Sequence, residues 1–338
     1  MKRRILTILL TAAILFTGTV GLTGCGKDDG KITFTNVSYD PTRELYEQYN
    51  KVFAEYWKEK TGQEVEFVQS HGGSGKQALE VANGLKADVV TLALEYDVNA
   101  VRDAGLIDSG WVSEFPNDSA PYTSTIVFLV RKGNPKNIQD WDDLVKEGVG
   151  VITPNPKTSG GARWNYLAAW AFADDLYDGD ETQVKDFISK LYKNVLVLDS
   201  GARGATTTFV ENGQGDVLLA WENEAFLSVQ DYPGEYEIIT PSISILAQPS
   251  VAIVDKVVDE KGTRELATEY LNYLYTDVAQ RIAGDNFYRP SNETILQEYA
   301  DVFDLDINLV TINDFGGWDV AQNKHFSDGG VFDQIYEQ

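Results

Sequence analysis

Apolar residues recur along this chain with two periods, and the alternation between the periods divides it into strands, turns and helices. Ile32-Thr33-Phe34-Thr35-Asn36-Val37 alternates with the period of two expected of a half-buried strand. Asp40-Pro41 follows, with Asp suited to an N-cap and Pro to the first helical position. Leu45, Tyr49, Phe53 and Trp57 then recur every fourth residue, which predicts one apolar helix face. The order repeats downstream. Strands are predicted over 64–68, 88–92, 149–153, 195–198, 217–220 and 251–254, and helices over 98–104, 140–146, 182–192 and 264–275. Thr125-Ile126-Val127-Phe128-Leu129-Val130 is apolar on both faces, the composition of a buried central strand. Strands alternating with helices predict an α/β fold.

Three of the strand-to-helix turns are rich in small residues. The central one is Asn155-Pro156-Lys157-Thr158-Ser159-Gly160-Gly161-Ala162-Arg163-Trp164, which precedes an Ala- and aromatic-rich helical segment. The others are Ser70-His71-Gly72-Gly73-Ser74-Gly75-Lys76 and Asp199-Ser200-Gly201-Ala202-Arg203-Gly204. A Ser-Gly-Gly helix start leaves backbone N–H groups uncovered where the macrodipole favours an anion, although an ordinary capped helix also accounts for these residues. The second turn is not a nucleotide-binding loop, because Ser70 and Gln77 stand where that motif needs Gly and Ser or Thr. Lys76 reads as a surface residue and His71 as a hydrogen-bonded loop residue, since His325 is its only fellow histidine.

The first 24 residues break the pattern. Lys2-Arg3-Arg4, an apolar run from Ile5 to Phe16 and a small-residue stretch predict a secretory signal over 1–24, too short to span a membrane. Leu22-Thr23-Gly24-Cys25 resembles the bacterial lipobox, which implies that Cys25, the only cysteine, is acylated and that 25–30 form a lipid-anchored tether. The formal charge of −24 becomes about −27 once the three basic residues of that segment are removed. Nucleic acid is therefore excluded as a partner, while the charge of a buried ligand is left open, because local dipoles can outweigh net charge there.

Six segments taken together resemble the bacterial sulfate-binding proteins. They are residues 36–44, 69–76, Ala120-Pro121-Tyr122-Thr123-Ser124-Thr125, 159–165, 199–204 and Ala220-Trp221-Glu222-Asn223-Glu224, and the likeness spans 32–338. The resemblance implies a two-lobed Type II periplasmic binding protein fold with a hinge and a ligand cleft, serving the membrane permease subunits of an ABC importer. It also implies a site of neutral donors for sulfate or thiosulfate: the N–H groups of Asp40, Ser74, Gly160, Gly161 and Ala202, the Ser159 hydroxyl and the Trp221 indole. Arg163 and Arg203 are expected to neutralise charge behind that site, or else to pair with carboxylates. Neither cofactor nor metal is expected.

The lobes are placed at 31–113 with 235–290, and at 114–234 with 291–338. Trp57, Trp111, Trp141, Trp164, Trp170 and Trp318 are expected to pack. An enzyme acting on an oxyanion would need an activated nucleophile, a general base or a metal set, and the sequence offers none; an adhesive lipoprotein would not need three anion-type turns. Molybdate or another tetrahedral oxyanion would use the same donors.

Overall fold

The computed structural model describes residues 30–336, so the signal segment, Cys25 and most of the tether lie outside the described residues. Two sheets form the cores of two lobes. In the first, the strands run in the order Ser250–Ile253, Val89–Leu92, Lys31–Tyr39, Glu64–Gly72. The last three are parallel and Ser250–Ile253 is antiparallel to its neighbour. In the second, the order is Val195–Asp199, Val151–Pro154, Val217–Trp221, Ile126–Arg131, Tyr236–Ile239. Ile126–Arg131 runs antiparallel to both neighbours, and its first five residues are buried, as its uninterrupted apolar composition predicts.

Three short pairings lie outside the two sheets. Tyr122–Thr123 pairs with Arg289–Pro290, Ser124 bridges Ala247, and Ile243–Ile245 lies parallel to Asn308–Val310. The chain thus crosses between lobes at neighbouring points, which is the geometry of a hinge. One boundary needs correction. Tyr236–Ile239 was expected in the first lobe within 235–290, yet it pairs with Ile126–Arg131 as the edge of the second sheet, because Tyr236 and Ile238 pack against Phe209 and its neighbours there. In the tail, Trp318 packs edge-on to Trp164 with centroids 4.6 Å apart, and Lys157 holds Asp333 at 2.8 Å.

Helix Arg43–Thr61 buries Leu45, Tyr49, Phe53 and Trp57, the predicted face, and stops where Gly62 takes a left-handed φ of 79°. Its start differs from expectation. Asp40 does not cap it; residues Asp40–Thr42 form a 3₁₀ turn without a side-chain cap. The Thr42 hydroxyl instead donates to the Tyr39 carbonyl at 2.8 Å, and the Asp40 carboxylate accepts from Arg43 at 3.4 Å. Residues Trp141–Val145 are likewise 3₁₀ rather than α-helical, fixed by a capping box between Asp140 and Asp143. The six tryptophans expected to pack are all buried.

Candidate functional site

Six strands end at the space between the lobes, and each hands the chain to a helix start or a turn there. Helices Ser74–Ala82, Gly160–Leu176 and Ala202–Val210 begin at that point, as does the Asp40 turn. Asp40 and Ser74 come from the first lobe; Ser159, Gly161, Ala202 and Trp221 come from the second, and all six line one small cavity. Gly160 is buried beside it, so close to the first lobe that a Cβ there would stand 3.1 Å from Ser74 Cβ. The sequence-predicted residues are therefore brought together in one place. Tyr39, Gly73 and Ala93 also line the cavity; Tyr39 and Gly73 adjoin Asp40 and Ser74 in the chain, whereas Ala93 directly follows the strand Val89–Leu92.

The hydrogen-bond inventory of this cavity is one-sided. The first N–H groups of a helix have no partner within it, and those of Ser74, Gly160, Gly161 and Ala202 find no acceptor among the described residues. Ser159 is the N-cap: its Oγ accepts from Ala162 N at 3.3 Å, which leaves the hydroxyl proton uncommitted. Trp221 is 2% exposed, and its Nε1–H has no acceptor among the described residues. It is admitted only because residue 161 is glycine, whose Cβ would stand 2.2 Å from Nε1. An orphaned buried donor costs about 1–3 kcal/mol. Several converging on one cavity mark a place for a hydrogen-bond acceptor. Ser74 differs in its side chain, which is fully engaged, donating to Asp97 Oδ2 at 2.6 Å and accepting from Ala93 N at 3.0 Å.

Charged groups surround the cavity but are paired with one another. Arg163 Nη1 donates to Asp97 at 3.2 Å and Nε to the Pro156 carbonyl at 2.9 Å, so this buried pair spans the lobes. Arg203 also spans them, holding Glu44 and Glu224 at 2.9 Å each. Burial pushes the carboxyl of Glu224 up despite Arg203, whereas at the more exposed Glu44 Arg203 outweighs burial and holds the group low. Both arginines are thus carboxylate-paired. Among the cavity-lining residues Asp40 is the one ionisable carboxylate; burial raises its pKa and Arg43 draws it partly back. Lys76 is exposed beside Glu80. His71 meets Ser38 Oγ at 2.8 Å, and burial lowers its pKa to about 4. Among the described residues no group of three or more His, Cys, Asp or Glu side chains is placed to hold a metal.

A cleft between lobes, lined by helix starts at strand ends, is where open α/β folds bind small ligands. The family model for the bacterial extracellular solute-binding protein matches residues 42–289. This chain belongs to that family. It is 60% identical over 306 residues to the sulfate-binding protein of Escherichia coli (strain K12), covering 90% of this chain and 93% of that one. It is 49% identical over 303 residues to the thiosulfate-binding protein of Pseudomonas aeruginosa, covering 89% and 91%. Among solved structures, the sulfate-binding protein SubI from Mycobacterium tuberculosis H37Rv superposes with a TM-score of 0.78 at 32% identity, covering 88% of this chain and all of that one. The family is one of two-lobed binding proteins, and no helix among the described residues is long and apolar enough to cross a membrane.

Proposed function

We propose that this protein captures sulfate, dehydrated and unreacted, and hands it to the permease subunits of an ABC importer from a position tethered to the membrane through a lipid on Cys25. The donors are the N–H groups of Asp40, Ser74, Gly160, Gly161 and Ala202, the Ser159 hydroxyl and the Trp221 Nε1–H. The observation that carries the reading is the Trp221 indole: a buried N–H without an acceptor, in a cavity where helix starts from both lobes converge. The identity of the relatives as sulfate- and thiosulfate-binding proteins supports it.

The chemistry follows from the donor set. Sulfate at neutral pH is a dianion without a proton, so a site of donors alone satisfies it. Three helix dipoles point their positive ends at the charge without placing a counter-ion beside it. Phosphate keeps a proton for which an acceptor is needed; an unpaired buried P–OH costs about 1–3 kcal/mol, roughly a tenfold preference or more. Arg163 and Arg203, already paired across the lobes, hold the closed arrangement without contacting the anion. No nucleophile or activated water is required, and the role is binding rather than catalysis.

Calorimetric titration of the protein lacking residues 1–24 with sulfate, thiosulfate, phosphate and molybdate tests the reading. Tight sulfate binding, at least tenfold tighter than phosphate and without product formation, is expected. Turnover of any of these anions, or no heat with sulfate, defeats it. Thiosulfate, the ligand in the name of the Pseudomonas relative, uses the same donors for three of its four outer atoms, and the same titration ranks it. Metabolic labelling with a fatty acid, lost in Cys25→Ser, tests the anchor.

A further inference from the structure

Three glycines, Gly73 in the cavity wall and Gly160 and Gly201 next in sequence to residues that line it, meet the opposite lobe with no room for a side chain. A Cβ on Gly73, in the first lobe, would stand 2.7 Å from the Thr158 carbonyl oxygen and 2.8 Å from that of Ser200, both in the second. On Gly160 it would stand 2.7 Å from Ala93 Cβ, and on Gly201 2.2 Å from Asp40 Oδ2, again across the cleft. None of the three has a positive φ. Gly73 has φ −58° and ψ 132° and Gly201 φ −160° and ψ 169°, values open to any L residue. Backbone conformation therefore does not demand glycine at these places. Clearance between the lobes does.

Resting on the sulfate reading above, we infer that Gly73, supported by Gly160 and Gly201, is the stop that sets how closely the lobes approach, and thereby the size of tetrahedral anion the closed cleft prefers. At Gly73 the opposing atoms are backbone carbonyls, which cannot swing aside as a side chain can. A methyl group there meets ordinary contact only if the lobes part by about 0.7 Å. Since N–H···O bonds span about 2.7–3.2 Å, that retreat carries donors of one lobe out of range of a small anion held by the other. An anion with longer bonds to oxygen, such as molybdate, reaches further across the gap and loses less.

The experiment compares wild type, Gly73→Ala and Gly110→Ala by calorimetry with sulfate and with molybdate, alongside the Tm of each without added anion. Gly110 is the control, since a Cβ there meets nothing within 4 Å. Gly73→Ala should weaken sulfate at least tenfold, weaken molybdate by a smaller factor, and leave the Tm without anion unchanged. Gly110→Ala should match wild type throughout. The inference is overturned if Gly73→Ala binds sulfate within twofold of wild type, if both anions weaken equally, or if the variant fails to fold, since the contact exists only between lobes. Wild type that ignores sulfate but takes molybdate would refute the sulfate reading alone, and the shift between variants would then be read on thiosulfate and molybdate. Silence towards all three anions would overturn both.

Discussion

Trp221 and Glu222 are neighbours in sequence and opposites in chemistry. The Trp221 indole is neutral, buried and without a partner among the described residues. Glu222, 3% exposed, is gripped by Arg289 through two bonds of 2.7 and 2.8 Å, and Arg289 also donates to the Asp304 carbonyl at 2.9 Å. The cleft leaves the Trp221 donor free and uncharged; the adjoining segment pairs its buried Glu222 with an arginine. The difference shows how a protein with a formal charge of −24 can offer a site to a dianion. Carboxylates near the cleft are matched with arginines locally, so the field at the cavity is left to oriented amides.

The largest effect should come from breaking the hinge side of that comparison. Arg289→Met leaves Glu222 charged and buried without its partner, and unfolding in urea should show a loss of about 3–5 kcal/mol. Glu222→Gln combined with Arg289→Met should recover much of it, because the stranded charge is gone. On the cleft side, Ser159→Ala and Trp221→Phe each remove one donor and should weaken sulfate by about tenfold or more, at about 1–3 kcal/mol per donor, with little change in Tm. Unchanged affinity in both variants would refute the donor set.

Acid should separate stability from binding. His71 and His325 are held neutral by burial, with pKa values lowered to about 4 and about 3 from 6.5. On acidification the unfolded chain takes up these protons first, so their contribution is present above about pH 6.5 and is lost progressively as pH falls towards those folded-state values. Tm should therefore drop between pH 7 and pH 4, and His325→Gln, at a residue facing Tyr166, Trp170 and Phe315 and the Lys324 charge, should drop less. Sulfate affinity measured by calorimetry should stay flat between about pH 6 and 8, because none of the donors titrates there. The smallest effect is expected at Asp40→Asn. If residue 40 serves through its N–H, sulfate affinity should remain within about threefold; a larger change would assign its carboxyl a direct role.

Much of this was legible from residue order. The uniform apolar run at 126–130 marked a central strand, the spacing of Leu45, Tyr49, Phe53 and Trp57 marked a buried helix face, and small residues after strands marked the cavity-lining helix starts. The edge strand 236–239 was misplaced because its partner lies more than a hundred residues away, and pairing across that distance leaves no local trace. Asp40-Pro41 looked like a helix start because its cap chemistry is local, whereas the competing contacts with Arg43 and Tyr39 depend on how the chain turns there.

Sequence alone settled the types of group available: amides at glycine-rich turns, one serine hydroxyl, one indole, and arginines enough to pair nearby acids. Tertiary structure alone decided that Ser74 spends its hydroxyl on Asp97 while Ser159 keeps its proton free, and that Arg163 and Arg203 pair across the lobes. It also decided that Gly73 and Gly201 matter for clearance rather than for backbone freedom. The reason is physical. Periodicity and capping are written within a few residues of chain, but whether a donor is left without an acceptor, or a methyl group has room, depends on atoms brought there from a different lobe.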